Sequence, residues 1–267
     1  MISFHALWGR LRLPPWFPGA LPRPIPDSIW LKTTAHYPFL NQLAPGDFHQ
    51  LRVMAARFLA DKEFTGAAGL EVTDEMGVAI AAQACLPLAR MGEEALKLYD
   101  DFKGIVVHPG AMLARRQAVD AAGVVHHYSE VLAGEAMEKG PVTLSWEDVE
   151  TSGDAAAQGH NVVIHEFVHK LDMRDGSANG CPPLPSRAAR EAWQAVMAPA
   201  YARFRQQVLM AQRFGAEHPW LDDYGAQSPV EFFAVAAEAY FVNRQRFEVD
   251  FADVTDLFDQ YFGQMEA

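Results

Sequence analysis

Cysteine is scarce: Cys85 and Cys181 are the only two in 267 residues. So few thiols argue against a disulfide framework and fit a reducing cytoplasm. Cys85 lies in the apolar run from Ala81 to Leu86 and reads as a small core residue, while Cys181 precedes Pro182 and Pro183 in a loop. Long apolar runs are also missing. No stretch approaches the ~20 residues that a membrane span requires. The N-terminal stretch carries Arg10 and Arg12, but prolines interrupt its apolar part, so a signal peptide is not expected. Positive charge is in short supply: 22 Lys and Arg stand against 34 Asp and Glu, giving a net charge of −12. That balance excludes non-specific binding to nucleic acid and to anionic membranes, and leaves peptides and proteins as partners. Acidic residues are themselves absent before Asp27.

Half of the residues are hydrophobic, enough for a sizeable core. Residues 1–30 read as a Pro- and Trp-rich arm, since Pro14, Pro15, Pro18, Pro22, Pro24 and Pro26 exclude a regular helix. From Leu43 the pattern is helical, with Leu51, Met54, Ala55, Phe58 and Leu59 on one face. A helix capped by Thr73 or Asp74 is expected to run to about Met91. Strands are expected at Gly104–Val107, Val124–Tyr128 and Pro141–Trp146. His126 and His127 would face opposite sides of a strand, so they are read as ordinary strand residues. Further helices are expected over about 154–176, 186–214 with a kink or split at Pro199, 228–242 and 253–262. From Ser228 onward eight acidic side chains face two basic ones, which reads as a solvated face.

The strongest motif is His165-Glu166-Phe167-Val168-His169. Two histidines four residues apart project from one face of a helix and can share a metal ion. The glutamate between them can then take a proton from a water on that metal. Val162, Val163, Ile164, Phe167 and Val168 make the segment a buried helix, where such a site belongs. Two histidines need a third protein ligand, and the downstream choices are Glu191, His218, Asp222, Asp223, Glu231 and Glu238. Glu191 sits among arginines and reads as an exposed ion-paired residue; His218 precedes Pro219 in a loop. Glu231 opens a strongly apolar helix, where a carboxylate needs a partner. Ser228-Pro229-Val230-Glu231 also fits a capping box, so ligand and cap stand as alternatives for Glu231. Glu238 lies two turns along the same face, either as an acceptor for a ligand histidine or as a buried ion-pair partner. Asp172 continues the spacing of His165 and His169, either behind the metal or as a solvated or capping residue. Tyr224 could donate to an oxyanion, or simply pack.

The whole set resembles the Mlc titration factor family of bacterial cytosolic zinc metallopeptidases. The match rests on His165 to Asp172 with Arg174 and Gly176, on Gly140 to Trp146, and on Tyr224 to Val235, with lesser matches at Arg57-Phe58-Leu59 and Cys85-Leu86-Pro87. It runs from about residue 28 to the end. The resemblance implies Glu231 as third ligand, Tyr224 near the metal and one zinc ion per chain. It implies an α+β, mostly helical, zincin-like (gluzincin) fold with a small sheet beside the motif helix, similar to the catalytic domain of anthrax lethal factor. One domain over 31–267 is expected, with a helical part over 31–102 and a catalytic core over 103–267. The implied activity is aminopeptidase-like hydrolysis of peptides. The implied partner is an Mlc-type transcriptional repressor, whose binding would relieve repression of the glucose phosphotransferase system. A repressor-binding module in which catalysis is secondary is the alternative.

Overall fold

The structure is a computed structural model that describes residues 22–119, 125–132, 134–137 and 139–263, with residues 112–132 described by their backbone alone. Residues 1–21 of the arm expected over 1–30, Val124 and the side chains of His126 and His127 lie outside the described residues. Pro26 ends the proline-rich stretch: its carbonyl accepts the Ile29 and Trp30 N–H groups and opens helix α1, Asp27–His36. A proline disfavours a helix interior but is tolerated where a helix begins, so the helix begins inside the span expected to be arm.

Helix α2 (Pro45–Asp61) buries Leu51, Met54, Ala55 and Phe58 at the anticipated spacing. Helix α3 (Asp74–Cys85) is capped by the Thr73 hydroxyl, which accepts the Met76 N–H. It stops short of Met91 because Pro87 follows; a 3₁₀ turn takes over at Leu86–Leu88. Strands β1 (Glu63–Gly66) and β2 (Gly104–His108) pair in parallel. Strands β3 (Met112–Val119) and β4 (Val125–Leu132) form a separate antiparallel pair. Strand β5 (Gly134–Ala136) then runs antiparallel to β6 (Val142–Ser145), which lies parallel to β2. The mixed sheet has the order β1-β2-β6-β5, so short β5 is an edge.

Helix α4 (Trp146–Ala155) leaves β6 at once, capped by Ser145. The motif helix α5 spans Val162–Asp172 and does not begin near Asp154. Gly159, at φ 83°, closes the preceding 3₁₀ turn in a left-handed conformation, and the Asn161 side chain accepts the Ile164 N–H to start α5 afresh. A 3₁₀ turn carries on from Met173 to Asp175, and Gly176 ends it. Helix α6 (Arg187–Phe214) runs through Pro199 without splitting. Helix α7 (Pro229–Val242) has the Ser228 cap, and α8 (Arg244–Phe262) begins before Asp253. Non-helical angles at Phe251 divide α8, and only its second half matches the expected last helix. The acidic tail is not wholly a free face: Arg244 grips Asp259 through two 2.6 Å bonds.

The core centres on α5. Phe167 packs edge-on against Phe58 at 5.5 Å, Tyr99 at 5.1 Å and Phe102 at 5.9 Å between ring centroids. Burying one such ring contributes about 1.5–3 kcal/mol, and each favourable aromatic pair adds about 0.5–1.5 kcal/mol. Beside it, fully buried Lys170 donates to the carbonyls of Met137 at 2.7 Å and Gly140 at 3.2 Å. Its ammonium also lies 3.8 Å from the Asp101 carboxylate and 4.5 Å from the Phe102 ring centre. One lysine thereby fastens the motif helix to the β5–β6 turn. Lys170→Met should lower unfolding stability by about 3 kcal/mol, because acceptors stay buried without their donor. The urea midpoint measures this, and an unchanged midpoint would mean that these bonds carry no net stability.

Candidate metal centre and active site

Helices α5 and α7 pack against each other, and carboxylates of α7 meet imidazoles of α5. Glu238 is buried and bridges two groups. Its Oε2 accepts the Asn161 N–H at 2.6 Å, and its Oε1 lies 2.6 Å from His165 Nδ1. Asn161 in turn donates from Nδ2 to Gln83 of α3 at 2.7 Å. The α5 cap, the first histidine and α7 are therefore locked together.

A proton on His165 Nδ1, facing Glu238, leaves Nε2 with a lone pair. That Nε2 lies 3.0 Å from His169 Nε2, and Glu231 Oε2 stands 3.2 Å from each. Glu231 Oε2 is buried without a hydrogen-bond partner. The three ligand atoms form the one group among the described residues that could hold a metal ion. Donors bound tetrahedrally at zinc distances stand about 3.3–3.4 Å apart, close to this triangle. Three inward-facing electron-rich atoms around a common point fit a divalent cation. Burial opposes the His165 imidazolium, yet Glu238, Glu231 and Glu166 raise its pKa well above the ordinary value. Burial would likewise raise Glu231, but the two imidazoles outweigh it and hold the carboxyl well below its usual range.

At Glu231 the helix cap and the contact with the histidines use different atoms. Its backbone N–H donates to the Ser228 hydroxyl at 3.2 Å, while its carboxylate points to the histidines. Glu166 is buried on another side of α5, and burial pushes its carboxyl above the ordinary glutamate range against the pull of both histidines. Gly134 of β5 lies directly over it: a Cβ there would come within 2.6 Å of Glu166 Cγ and Oε1. The Tyr224 ring centre is 5.9 Å from that of His165, in a turn fixed by the Asp222 carboxylate, which accepts the Tyr224 N–H at 2.9 Å.

Asp172 does not stand behind a histidine. Its carboxylate is fully buried and accepts the N–H groups of Asn179 at 3.0 Å, Gly180 at 2.8 Å and Cys181 at 3.0 Å. It anchors the chain returning from α5, and is neither solvated nor a helix cap. The other ligand choices also go elsewhere: Glu191 pairs with Arg187 on an exposed face, His218 with Asp223, and Asp222 with His160. Sequence reasoning missed Asn161, Gly134 and Lys170. Asn161 carried a readable signal, a polar cap before an apolar run; the other two act through contacts across the fold that no local pattern encodes.

Two cavities meet at this centre. One of about 200 Å³ borders β5, His169 and Glu231, and one of about 460 Å³ extends toward α4. Gly134, His165, Glu166 and Tyr224 line both, so together they form a cleft crossing the histidine–glutamate trio.

The profile of the glucose-regulated metallo-peptidase M90 family matches residues 19–263. The chain is 37% identical to Mlc titration factor A of Serratia proteamaculans over 205 residues, covering 76% of this chain and 75% of that one. It is 33% identical to Mlc titration factor A of Klebsiella pneumoniae over 228 residues, covering 85% and 83%. An uncharacterised protein of Synechocystis is 32% identical over 241 residues, covering 90% and 85%.

The geometry gives Glu231→Ala at least about 100-fold weaker binding of one divalent ion, and Glu238→Gln about 10- to 100-fold weaker binding. Competition with a chromophoric chelator reads both. Equal metal affinity in Glu231→Ala and the parent would remove the trio as a metal site.

Proposed function

The chain belongs to the glucose-regulated metallo-peptidase M90 family, and on that premise we propose that it is a zinc-dependent peptidase of the gluzincin type. The observation that carries the reading is the convergence of His165 Nε2, His169 Nε2 and Glu231 Oε2 beside a buried Glu166. His165, His169 and Glu231 hold the metal, one ion per chain. Two imidazoles and one carboxylate favour zinc among the divalent ions of hydrolases. A zinc ion bound there supplies Lewis-acid polarisation of the substrate carbonyl and lowers the pKa of a water toward ~7.

The protein's own residues do the rest. Glu166 accepts the proton of the attacking water, a role suited to a carboxyl whose pKa burial has raised, and later delivers it to the leaving amine. Tyr224 donates from its phenol to the oxyanion that develops on the scissile carbonyl. Glu238 fixes the His165 ring and its tautomer through Nδ1. Asp172 contributes at a distance, by holding the loop at 179–181 against the end of α5. An extended peptide adding to the edge strand β5 would carry its backbone past Glu166, because Gly134 leaves no side chain between them. Aminopeptidase-like action on short peptides follows from the family resemblance. The low cysteine count fits the cytoplasm, and no helix among the described residues is long and apolar enough to cross a membrane.

A second reading is favoured by the relatives named Mlc titration factor A. The chain would bind an Mlc-type repressor and so regulate expression of the glucose phosphotransferase system, with catalysis secondary. Glu166→Gln separates the two roles. It should lose peptide hydrolysis by about 1000-fold or more while keeping its metal and any repressor binding. Hydrolysis at the parental rate would sink the catalytic assignment. Tyr224→Phe should lower kcat about 100-fold with little change in KM, as expected of a donor used mainly in the transition state.

A further inference from the structure

The larger cavity reaches away from the metal trio to a far wall on α4, made of Asp148, Thr151, Ser152 and Ala155. At about 460 Å³ it lies in the size range of ligand pockets. Among the described residues no lysine or arginine lines it, and four acidic residues do. Three of those are committed. Glu166 faces Gly134 beside the trio, Glu238 holds His165 and Asn161, and Asp222 holds the Tyr224 N–H and lies 3.2 Å from His160 Nδ1. Asp148 is different. Its backbone N–H meets the Ser145 hydroxyl, and its carbonyl accepts the Thr151 and Ser152 hydroxyls. Its half-buried carboxylate has no hydrogen bond or ion pair among the described residues.

We propose that this cavity receives a cationic nitrogen of the substrate, an ammonium or guanidinium group, and that the Asp148 carboxylate selects for it. The proposal rests on the peptidase reading, because the cavity opens at Glu166 and His165. A half-desolvated carboxylate is costly when unpaired, and a cation beside it makes a charge-assisted hydrogen bond that an apolar side chain cannot. Two sources supply that chemistry: a lysine or arginine side chain flanking the scissile bond, or the α-amine of a peptide N-terminus. A competing account is that Asp148, in the first turn of α4, merely opposes the positive end of that helix. That role would affect stability without selecting among ligands.

The test is equilibrium binding to the zinc-loaded Glu166→Gln protein, alone and combined with Asp148→Asn or Asp148→Glu. The probes are matched short peptides with lysine or norleucine on either side of the scissile bond, each with a free or an acetylated N-terminus. One ratio, lysine over norleucine or free over acetylated, should reach about tenfold or more. The first result assigns the side chain as the source, and the second assigns the α-amine. The ratio should fall to about one in Asp148→Asn and persist within about threefold in Asp148→Glu. No preference in the starting protein, or a preference untouched by Asp148→Asn, overturns the proposal. A lower melting temperature with an unchanged ratio does so in favour of the helix role. Cleavage assays on the Glu166-containing protein keep the two readings apart. Selective binding without cleavage removes the peptidase and leaves Asp148 in place. Cleavage without cation preference removes Asp148 and leaves the peptidase.

Discussion

The Glu238 carboxylate is the constraint on which the site depends. A carboxylate buried in a helix of alanines and phenylalanines would cost several kcal/mol if left alone. Here one oxygen takes the N–H that precedes α5 and the other takes the first histidine of α5. That pair of contacts fixes the register of the two helices and makes them antiparallel, since the end of α7 meets the start of α5. Glu231 lies seven residues earlier, about 10.5 Å back along α7 on the same face. It therefore falls beside His165 and His169 without any further device. The Ser228 cap serves the same end by holding the Glu231 backbone while its side chain remains directed at the histidines.

Helix α5 has only eleven residues, yet every face of it is used. Histidines point to α7, Glu166 to β5, Phe167 to the aromatic core and Lys170 to the β5–β6 turn. The Lys170 contact bears on catalysis by an indirect route. The turn it holds follows β5, and the first residue of β5 is the glycine against which Glu166 lies. The clearance above the proposed base is thus tied to a buried ammonium on the same helix. A glycine at 134 is required by that close approach and by no turn conformation.

Much of this could be read in the sequence, and the limits follow from physics. The motif histidines and the Ser228 cap carry local signals, spacing and side-chain chemistry that hold wherever the helix packs, whereas Glu231 as a ligand is implied by the family resemblance, its local pattern fitting a cap equally well. The start of α5 was harder to read, because alanines run through the end of α4 and its 3₁₀ turn; Gly159 and Asn161 do the separating. Asp172 shows the limit of periodicity. Its spacing puts it on the histidine face, but the chain doubles back after Gly176 and offers three backbone N–H groups to it. The ligand-or-cap alternative at Glu231 dissolved for a different reason: a capping box describes the backbone and side chain together, and here only the backbone takes part.

Charge balance gives the centre its remaining logic. Glu166, Glu231 and Glu238 bring three negative charges to two imidazoles, which are neutral when they ligate a metal. Folding alone would have to bury that excess; the neighbouring carboxylates raise the pKa of His165 against its burial, and burial raises that of Glu166. A divalent cation at the trio leaves a single net negative charge. Glu231 and Glu238 are already engaged with the histidines, so the charge that remains is that of Glu166. Metal binding and the basicity of Glu166 are in that sense one property. A cation held there would offset the carboxylates buried together and favour the ionised form of Glu166, which the proposed hydrolysis requires. Stability should then rise with metal occupancy through linkage, because the folded chain assembles the trio and the unfolded chain does not.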